Sequence, residues 1–196
     1  PASVPHICDM SSELGSRVLD WNTLDMLYAG CQKNLGVAGT VLVIIKNDLL
    51  HRSKAPTPFN YQEHASAGSR LNTPPTFGIV VLRRMLEWIQ EHGGVKNMAL
   101  RAEQRAKLLY DAIKSTQGYW RPHASRECRS VMNVTWHGPS PEAEFQFLHQ
   151  ANELGFSGLK GHRSVGGLRA SVYNAADETA CQKLAELIQT SPHSSK

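Results

Sequence analysis

Three apolar runs in the first part of the chain predict the strands of one sheet. They occupy residues 4–8, 24–28 and 40–46. The third run is continuous and rich in β-branched residues, which is typical of a strand in a sheet covered on both faces. Asp9 follows the first run, and the small residues after the second run lead to Lys33. This pattern predicts an α/β fold with a carboxylate and an ammonium group at the carboxyl ends of two strands.

A helical period follows farther along the chain. Residues 77–90 and 95–116 place apolar side chains three or four positions apart, which predicts two amphipathic helices. The expected buried positions are Ile79, Leu82, Leu86 and Ile89 in the first helix and Met98, Ala102, Ala106, Leu109 and Ile113 in the second. Residues 51–70 carry no period, and we interpret them as a long loop.

The C-terminal part of the sequence has the pattern of a small α+β unit. We predict a strand, a helix, two further strand segments and a closing helix, followed by a frayed tail. These elements occupy residues 131–136, 141–154, 156–159, 168–173 and 177–188, and the tail is 191–196. The change of pattern predicts two domains, residues 1–95 and 96–196.

Composition and charge argue against nucleic acid, membrane and metal as partners. The chain is 41% apolar and 19% charged, which is ordinary for a globular protein. Its net charge of +4 comes from scattered residues, so we expect no nucleic-acid partner. No apolar run approaches the roughly 18 residues of a membrane span, and we expect no membrane partner. The four cysteines have neither metal-ligand nor redox-pair spacing, so we predict free thiols and no metal site.

Asp9 and Lys33 form the first candidate site. Ligands of open α/β sheets bind at the carboxyl ends of the strands. An enzyme that uses pyridoxal phosphate needs a lysine for the Schiff base and an acid beside the pyridine nitrogen. Taken singly, each residue has a common alternative, since lysine is usually solvated and aspartate is usual in turns.

A basic, glycine-rich segment forms the second candidate site. Within it, Lys160, His162, Arg163 and Arg169 fall within ten positions of one another. Arginine binds carboxylates and phosphates with two parallel hydrogen bonds, and an arginine directed inward from a strand requires an anionic partner. The alternative is a basic surface loop. Asn72 and Thr73, held before a pair of prolines, could bind phosphate or cap the next helix.

Four segments, residues 9–12, 28–34, 71–76 and 161–171, occur together in this order. Together they resemble the phosphoserine aminotransferases, class V enzymes of fold type I that use pyridoxal phosphate. The most specific part is His-Arg-Ser-Val-Gly-Gly at residues 162–167. The resemblance implies the C-terminal part of the large domain, a mostly parallel sheet with helices, followed by a small α+β domain.

The resemblance also implies roles in binding the cofactor. Lys33 is similar to the Schiff-base lysine, which also moves the substrate proton. Asp9 is similar to the carboxylate that keeps the pyridine nitrogen protonated. Gln32 is similar to a ligand of the cofactor phosphate, and Asn72 and Thr73 to the pair that reaches this phosphate across a homodimer interface.

For the substrate, the resemblance implies two kinds of anion site. His162 and Arg163 are similar to the pair that binds the substrate phosphate from the neighbouring subunit, and Arg169 to the clamp on the α-carboxylate. The implied reaction is ping-pong transamination of 3-phosphohydroxypyruvate with glutamate, giving phosphoserine and 2-oxoglutarate. The implied setting is cytoplasmic serine biosynthesis.

The sequence also departs from this family. It lacks an initiator Met and is about half as long, so we expect the C-terminal part of a longer protein. The segment 51–64 is also unlike the family's usual sequence. Two alternatives therefore remain: a catalytically silent fragment or regulatory partner that retains the dimer surface, and a related aminotransferase with another substrate.

Overall fold

A computed structural model describes residues 4–52 and 54–193. The chain divides into two compact units, Pro1–Lys96 and Asn97–Lys196. Each unit contains one three-stranded sheet. The α/β class predicted from the sequence is confirmed.

The sheet of the first unit contains one parallel and one antiparallel pair. Its strands are β1 (Ile7–Asp9), β2 (Met26–Gly30) and β3 (Val41–Ile45). Strand β1 runs parallel to β2, with Asp9 opposite Tyr28, whereas β3 runs antiparallel to β2. The expectation of a mostly parallel sheet therefore holds for β1 and β2 but not for β3. Residues 31–40 join β2 to β3, and they are fewer than the dozen or so needed for a parallel crossover.

Three helices accompany this sheet. They are α1 (Asn47–Leu50), α2 (Tyr61–Ser66) and α3 (Thr76–Glu91), and a single 3-10 turn spans Trp21–Thr23. Helix α2 lies in the segment that the sequence predicted as a loop without regular structure. The missed signal is its cap, because the Asn60 side chain accepts a hydrogen bond from the Gln62 backbone N–H.

Helix α3 approaches the residue before β3 most closely at a glycine, Gly78, and much of its apolar stripe is not buried. An added Cβ on Gly78 would lie 2.0 Å from the Thr40 hydroxyl oxygen, just before β3. Of the four positions predicted as buried, Ile89 is buried, while Ile79 and Leu86 are 45% and 47% exposed. The stripe is therefore a partly uncovered apolar surface of the first unit.

The second unit is built on an antiparallel sheet in the order β4-β5-β6. Helix α4 (Gly94–Ser115) leads into it, and its other elements are β4 (Arg121–Pro122), β5 (Asn133–His137), α5 (Pro141–Glu153), β6 (Leu168–Ser171) and α6 (Glu178–Thr190). Two 3-10 turns span Arg126–Cys128 and Ser191–His193. The short strand β4 was not predicted from the sequence, because its two residues are too few to form a hydrophobic pattern.

Aromatic side chains fill the core of the second unit. Trp120 and Trp136 both meet Phe147 edge-on, with ring centroids 5.1 Å and 5.9 Å apart. All five positions predicted for the apolar stripe of α4 are buried. The Trp120 indole N–H donates to the Ser191 hydroxyl, so the chain is ordered at a position that we expected to fray.

Two smaller predictions also differ from the structure. Residues 156–159 form no strand, although Lys160 makes an isolated bridge to Leu168. Cys128 is exposed and Cys8 is half-buried, whereas Cys31 and Cys181 are buried; all four are free thiols.

The contact between Gly78 and Thr40 gives the first prediction. Gly78→Ala should lower the free energy of unfolding by about 1–3 kcal/mol, because overpacking outweighs the better helix propensity of alanine. Urea unfolding of the purified chain, followed by circular dichroism, measures the change.

The matched control removes the obstructing atom. In the Thr40→Ala/Gly78→Ala variant, the nearest former obstacle is the Cβ of residue 40 at 3.3 Å, and stability should largely return. A double variant no more stable than Gly78→Ala would contradict the steric explanation.

Candidate active site

The carboxylate of Asp9 is fixed by the turn that follows β1. Its Oδ1 accepts hydrogen bonds from the Ser11 hydroxyl at 2.6 Å and from the Ser11 backbone N–H at 2.9 Å. The Ser11 oxygen in turn accepts the Gly30 N–H at 3.0 Å, which ties the turn to the end of β2. The acid is therefore held at the carboxyl edge of the parallel strand pair.

These contacts favour the ionised form of Asp9. The hydroxyl of Ser11, then its backbone N–H, lowers the pKa of the Asp9 carboxyl below its usual value, with smaller contributions from Tyr28 and Lys33. Conversely, the charge of Asp9 raises the pKa of the Tyr28 hydroxyl. Asp9 is thus an exposed carboxylate that remains ionised in mildly acidic solution.

Lys33 lies in the turn that follows β2. Its Nζ donates a hydrogen bond to the Ser12 hydroxyl oxygen at 3.1 Å, and its side chain is exposed. The next residue, Asn34, is buried, and its side-chain amide donates to the Leu14 carbonyl at 2.8 Å. The turn after β1 and the turn after β2 are therefore joined at several points.

Gln32 folds over the backbone of Gly30. An added Cβ on Gly30 would lie 2.6 Å from the Gln32 Oε1 atom. A side chain at position 30 would displace the amide, so glycine keeps a hydrogen-bonding group beside Lys33. An amide N–H in this position is able to donate to an anion.

Asn72 and Thr73 line a different part of the first unit. Both are exposed, and they line a cavity of about 630 Å³. Its wall is formed by β3 and the segment before α3, and it includes Tyr61, His64, Ser69 and Pro74. Neither Asp9 nor Lys33 is among its lining residues, so this cavity is distinct from the edge at which those two residues lie.

The basic segment of the second unit forms a closed hairpin. The Gly161 N–H donates to the Gly167 carbonyl at 2.8 Å, and the Gly166 N–H donates to the His162 carbonyl at 2.8 Å. An added Cβ on Gly161 would lie 1.9 Å from the Gly166 carbonyl oxygen, so only glycine allows this approach. The backbone therefore fixes the positions from which the cations project.

Three of the basic residues line one cavity of about 530 Å³. They are Lys160, His162 and Arg163. Nδ1 of His162 lies 2.7 Å from the Ser164 hydroxyl oxygen and 3.3 Å from the Ser164 backbone nitrogen, so the ring is held by its own turn. Glu144 also lines the cavity, but its carboxylate already accepts the Gly138 N–H at 2.9 Å. This cavity has the donors needed for a phosphate-sized anion.

Arg169 lies on β6, on the face opposite the core. It pairs with Thr135 of β5, between the buried residues Leu168 and Ala170. Its Nε is buried and has no hydrogen-bond partner among the described residues. A buried guanidinium N–H without an acceptor suits an anionic ligand.

The structure thus brings Asp9 and Lys33 together in the first unit, and His162 and Arg163 in the second. The sequence allows Ser11 and Ser12 either to bond backbone groups or a ligand, or to form a turn or helix cap, and it indicates no role for Tyr28. The available signal was the Asp-x-Ser-Ser spacing, which allows both hydroxyls to return to the strand ends.

Two kinds of feature are absent from the described residues. No group of three metal-ligating side chains is placed to hold a metal ion there. Among the helices of the same residues, none has the length and hydropathy required to cross a membrane.

The chain is similar to known proteins over nearly its whole length. The phosphoserine aminotransferase of Halalkalibacterium halodurans is 47% identical over 188 residues, which are 95% of this chain and 52% of that protein. The phosphoserine aminotransferase structure from Bacillus circulans subsp. alkalophilus is 42% identical with a TM-score of 0.95, and the match covers 100% of this chain and 55% of that one.

A further solved structure, described as showing radiation damage of the Schiff base in phosphoserine aminotransferase, is 46% identical with a TM-score of 0.93. That match covers 97% of this chain and 53% of the other. The chain therefore spans about half the length of the relatives it matches. The model of the family described as aminotransferase class-V matches residues 3–184, and the chain belongs to that family.

Proposed function

We propose that this chain forms part of a pyridoxal-phosphate-dependent phosphoserine aminotransferase. One observation carries the proposal: the Lys33 amine and the ionised Asp9 carboxylate lie at one edge of the sheet. Each is hydrogen-bonded to one of two consecutive serines, Asp9 to Ser11 and Lys33 to Ser12. The similarity to phosphoserine aminotransferases supports the choice of reaction.

The residues at this edge fit the cofactor. Asp9 has the charge to pair with a protonated pyridine nitrogen, Lys33 carries the amine for covalent attachment, and the Gln32 amide is a donor for phosphate. When bound, the cofactor supplies an electron sink for the electrons released at the substrate Cα. Lys33, as a free amine, would accept the proton from the substrate Cα and deliver it to the cofactor, and it would carry a proton in the opposite direction in the second half-reaction.

The proposed substrates carry two anionic groups, and the chain offers two cationic sites. Lys160, His162 and Arg163 would bind the phosphate of phosphoserine or 3-phosphohydroxypyruvate. Arg169, with its unpartnered Nε, would bind the α-carboxylate that these substrates share with glutamate and 2-oxoglutarate. A substrate without a phosphate would have less use for the first site.

The remaining parts of the proposal concern assembly and setting. The first unit would belong to the cofactor-binding domain and the second to the small domain. Asn72 and Thr73 line a cavity of their own, which supports a role toward the cofactor of a second subunit in a homodimer. The enzyme would act in cytoplasmic serine biosynthesis.

The role of Lys33 is tested by covalent trapping. Borohydride reduction of the purified chain mixed with pyridoxal phosphate should label Lys33, as detected by peptide mass spectrometry. Lys33→Ala should remove that label and, in the complete enzyme, the visible absorbance of the lysine-bound cofactor.

Lys46→Ala is the matched control, because Lys46 pairs with Asp25 at 2.9 Å. It should leave the label on Lys33 unchanged. No specific label in the purified chain, together with no activity in the complete enzyme, would favour the non-catalytic alternative.

The two anion sites predict different kinetic losses. In the complete enzyme, Arg163→Ala should raise the KM for phosphoserine about tenfold or more, and the KM for glutamate less, because the phosphate carries the greater charge. Arg169→Ala should raise the KM for both substrates, since both present an α-carboxylate. Steady-state kinetics with each substrate varied in turn measures the difference. Equal effects of Arg163→Ala on both substrates would contradict a phosphate site.

A further inference from the structure

Two adjacent serines contact the two groups that the proposed function uses. Ser11 binds the Asp9 carboxylate, and Ser12 binds the Lys33 amine. Both serines belong to the turn after β1, although Lys33 follows β2. One short turn therefore positions two side chains that are far apart in the sequence.

The backbone of this turn is itself fixed. The Met10 N–H donates to the Tyr28 carbonyl at 2.8 Å, which attaches the turn to β2. The N–H groups of Glu13 and Leu14 both donate to the Met10 carbonyl, at 2.9 Å and 2.8 Å. The two serine hydroxyls consequently project from a backbone with little freedom.

The hydroxyl of Ser11 is oriented from both sides. It accepts the Gly30 N–H at 3.0 Å and donates to Asp9 at 2.6 Å. Because a hydroxyl has one hydrogen, this arrangement directs that hydrogen at the carboxylate. Loss of the hydroxyl would remove one donor from Asp9 while leaving the backbone N–H in place.

The hydroxyl of Ser12 restrains a flexible side chain. A lysine has four rotatable carbon bonds, and Lys33 is exposed in this unit. The 3.1 Å hydrogen bond to Ser12 holds its amine at the same edge of the sheet as Asp9. This placement suits an amine that must be released and recaptured during each catalytic cycle.

We propose that Ser11 and Ser12 are positioning residues with separate tasks: Ser11 orients the Asp9 carboxylate, and Ser12 holds the free amine of Lys33. The roles assigned to these groups rest on the proposed function. The hydrogen bonds themselves can be tested in the purified chain without cofactor, so failure of one idea is distinguishable from failure of the other.

The task of Ser11 predicts a change in the titration of Asp9. Ser11→Ala should raise the pH midpoint of the Asp9 carboxyl by about half to one unit, because a donor to the ionised form is lost. Carbon-13 NMR of the aspartate-labelled chain follows this titration. Ser11→Thr retains the hydroxyl and should keep the original midpoint.

Asp25 provides an internal reference for folding of the first unit. Its pKa is lowered chiefly by the His6 backbone N–H, and Lys46 also contributes. The Asp25 midpoint should not move in either Ser11 variant. An unchanged Asp9 midpoint in Ser11→Ala, or a Ser11→Thr variant that behaves like Ser11→Ala, would overturn the assignment.

The task of Ser12 predicts a change in the reactivity of Lys33. Ser12→Ala should speed acetylation of Lys33 by acetic anhydride about threefold. The amine then no longer donates its hydrogen bond of modest strength to Ser12, so it is freer to react. Quantitative mass spectrometry of the purified chain measures the rate, with Lys46 as the reference amine. Ser12→Thr should restore the original rate.

Measuring both the Asp9 titration and the Lys33 reactivity in each serine variant distinguishes two separate tasks from a general loss of structure in the turn. Ser12→Ala should leave the Asp9 midpoint unchanged, and Ser11→Ala should leave the reactivity of Lys33 within about twofold. Both groups responding equally to both substitutions would overturn the division of tasks. Trapping of pyridoxal phosphate at Lys33 reports separately on the proposed function.

Discussion

The parallel pairing of β1 with β2 is the constraint on which the candidate site depends. It aligns two strand ends that are distant in sequence, with Asp9 opposite Tyr28. Both strands then turn at the same edge, where Gly30 and the Met10 backbone bind across the pair. A one-residue change of register would direct Asp9 to the opposite face of the sheet. The carboxylate and the amine are therefore neighbours because of backbone hydrogen bonding, not because of attraction between their own charges.

The second unit positions its cations by a different means. Its basic segment is closed by backbone hydrogen bonds, and Gly161 approaches the Gly166 carbonyl too closely for any side chain. Closure brings Lys160, His162 and Arg163 to one cavity. An anion bound in this cavity would accept hydrogen bonds from several of these side chains at once. Arg169 is placed separately by the strand alternation of β6, so one short stretch of sequence carries two distinct candidate anion sites.

The sequence predicted the parts of this fold that depend on local pattern. Helix α4 and its stripe follow from periodicity, and the candidates Asp9 and Lys33 follow from their positions after apolar runs. Helix α2 and strand β4 were missed because one depends on an Asn60 cap and the other on two residues paired with β5. The spacing Asp-x-Ser-Ser indicates the contact of Ser11 with Asp9, but the contacts with Gly30 and Lys33 depend on the register of strands that are separated by many residues. The stripe of α3 was predicted as core because periodicity identifies an apolar face but does not identify what covers it.

The solvent exposure of Asp9 and Lys33 determines what else the proposed site requires. A lysine that forms a Schiff base works best where water is limited, because desolvation favours its neutral amine. Lys33 and Asp9 are instead exposed on the first unit, as are apolar residues such as Val41, at 62%, and Phe77, at 73%. The serine contacts orient the two reactive groups but do not exclude water from them. The proposed function therefore requires a covering surface from outside this unit, while the unit itself supplies the alignment of acid and amine.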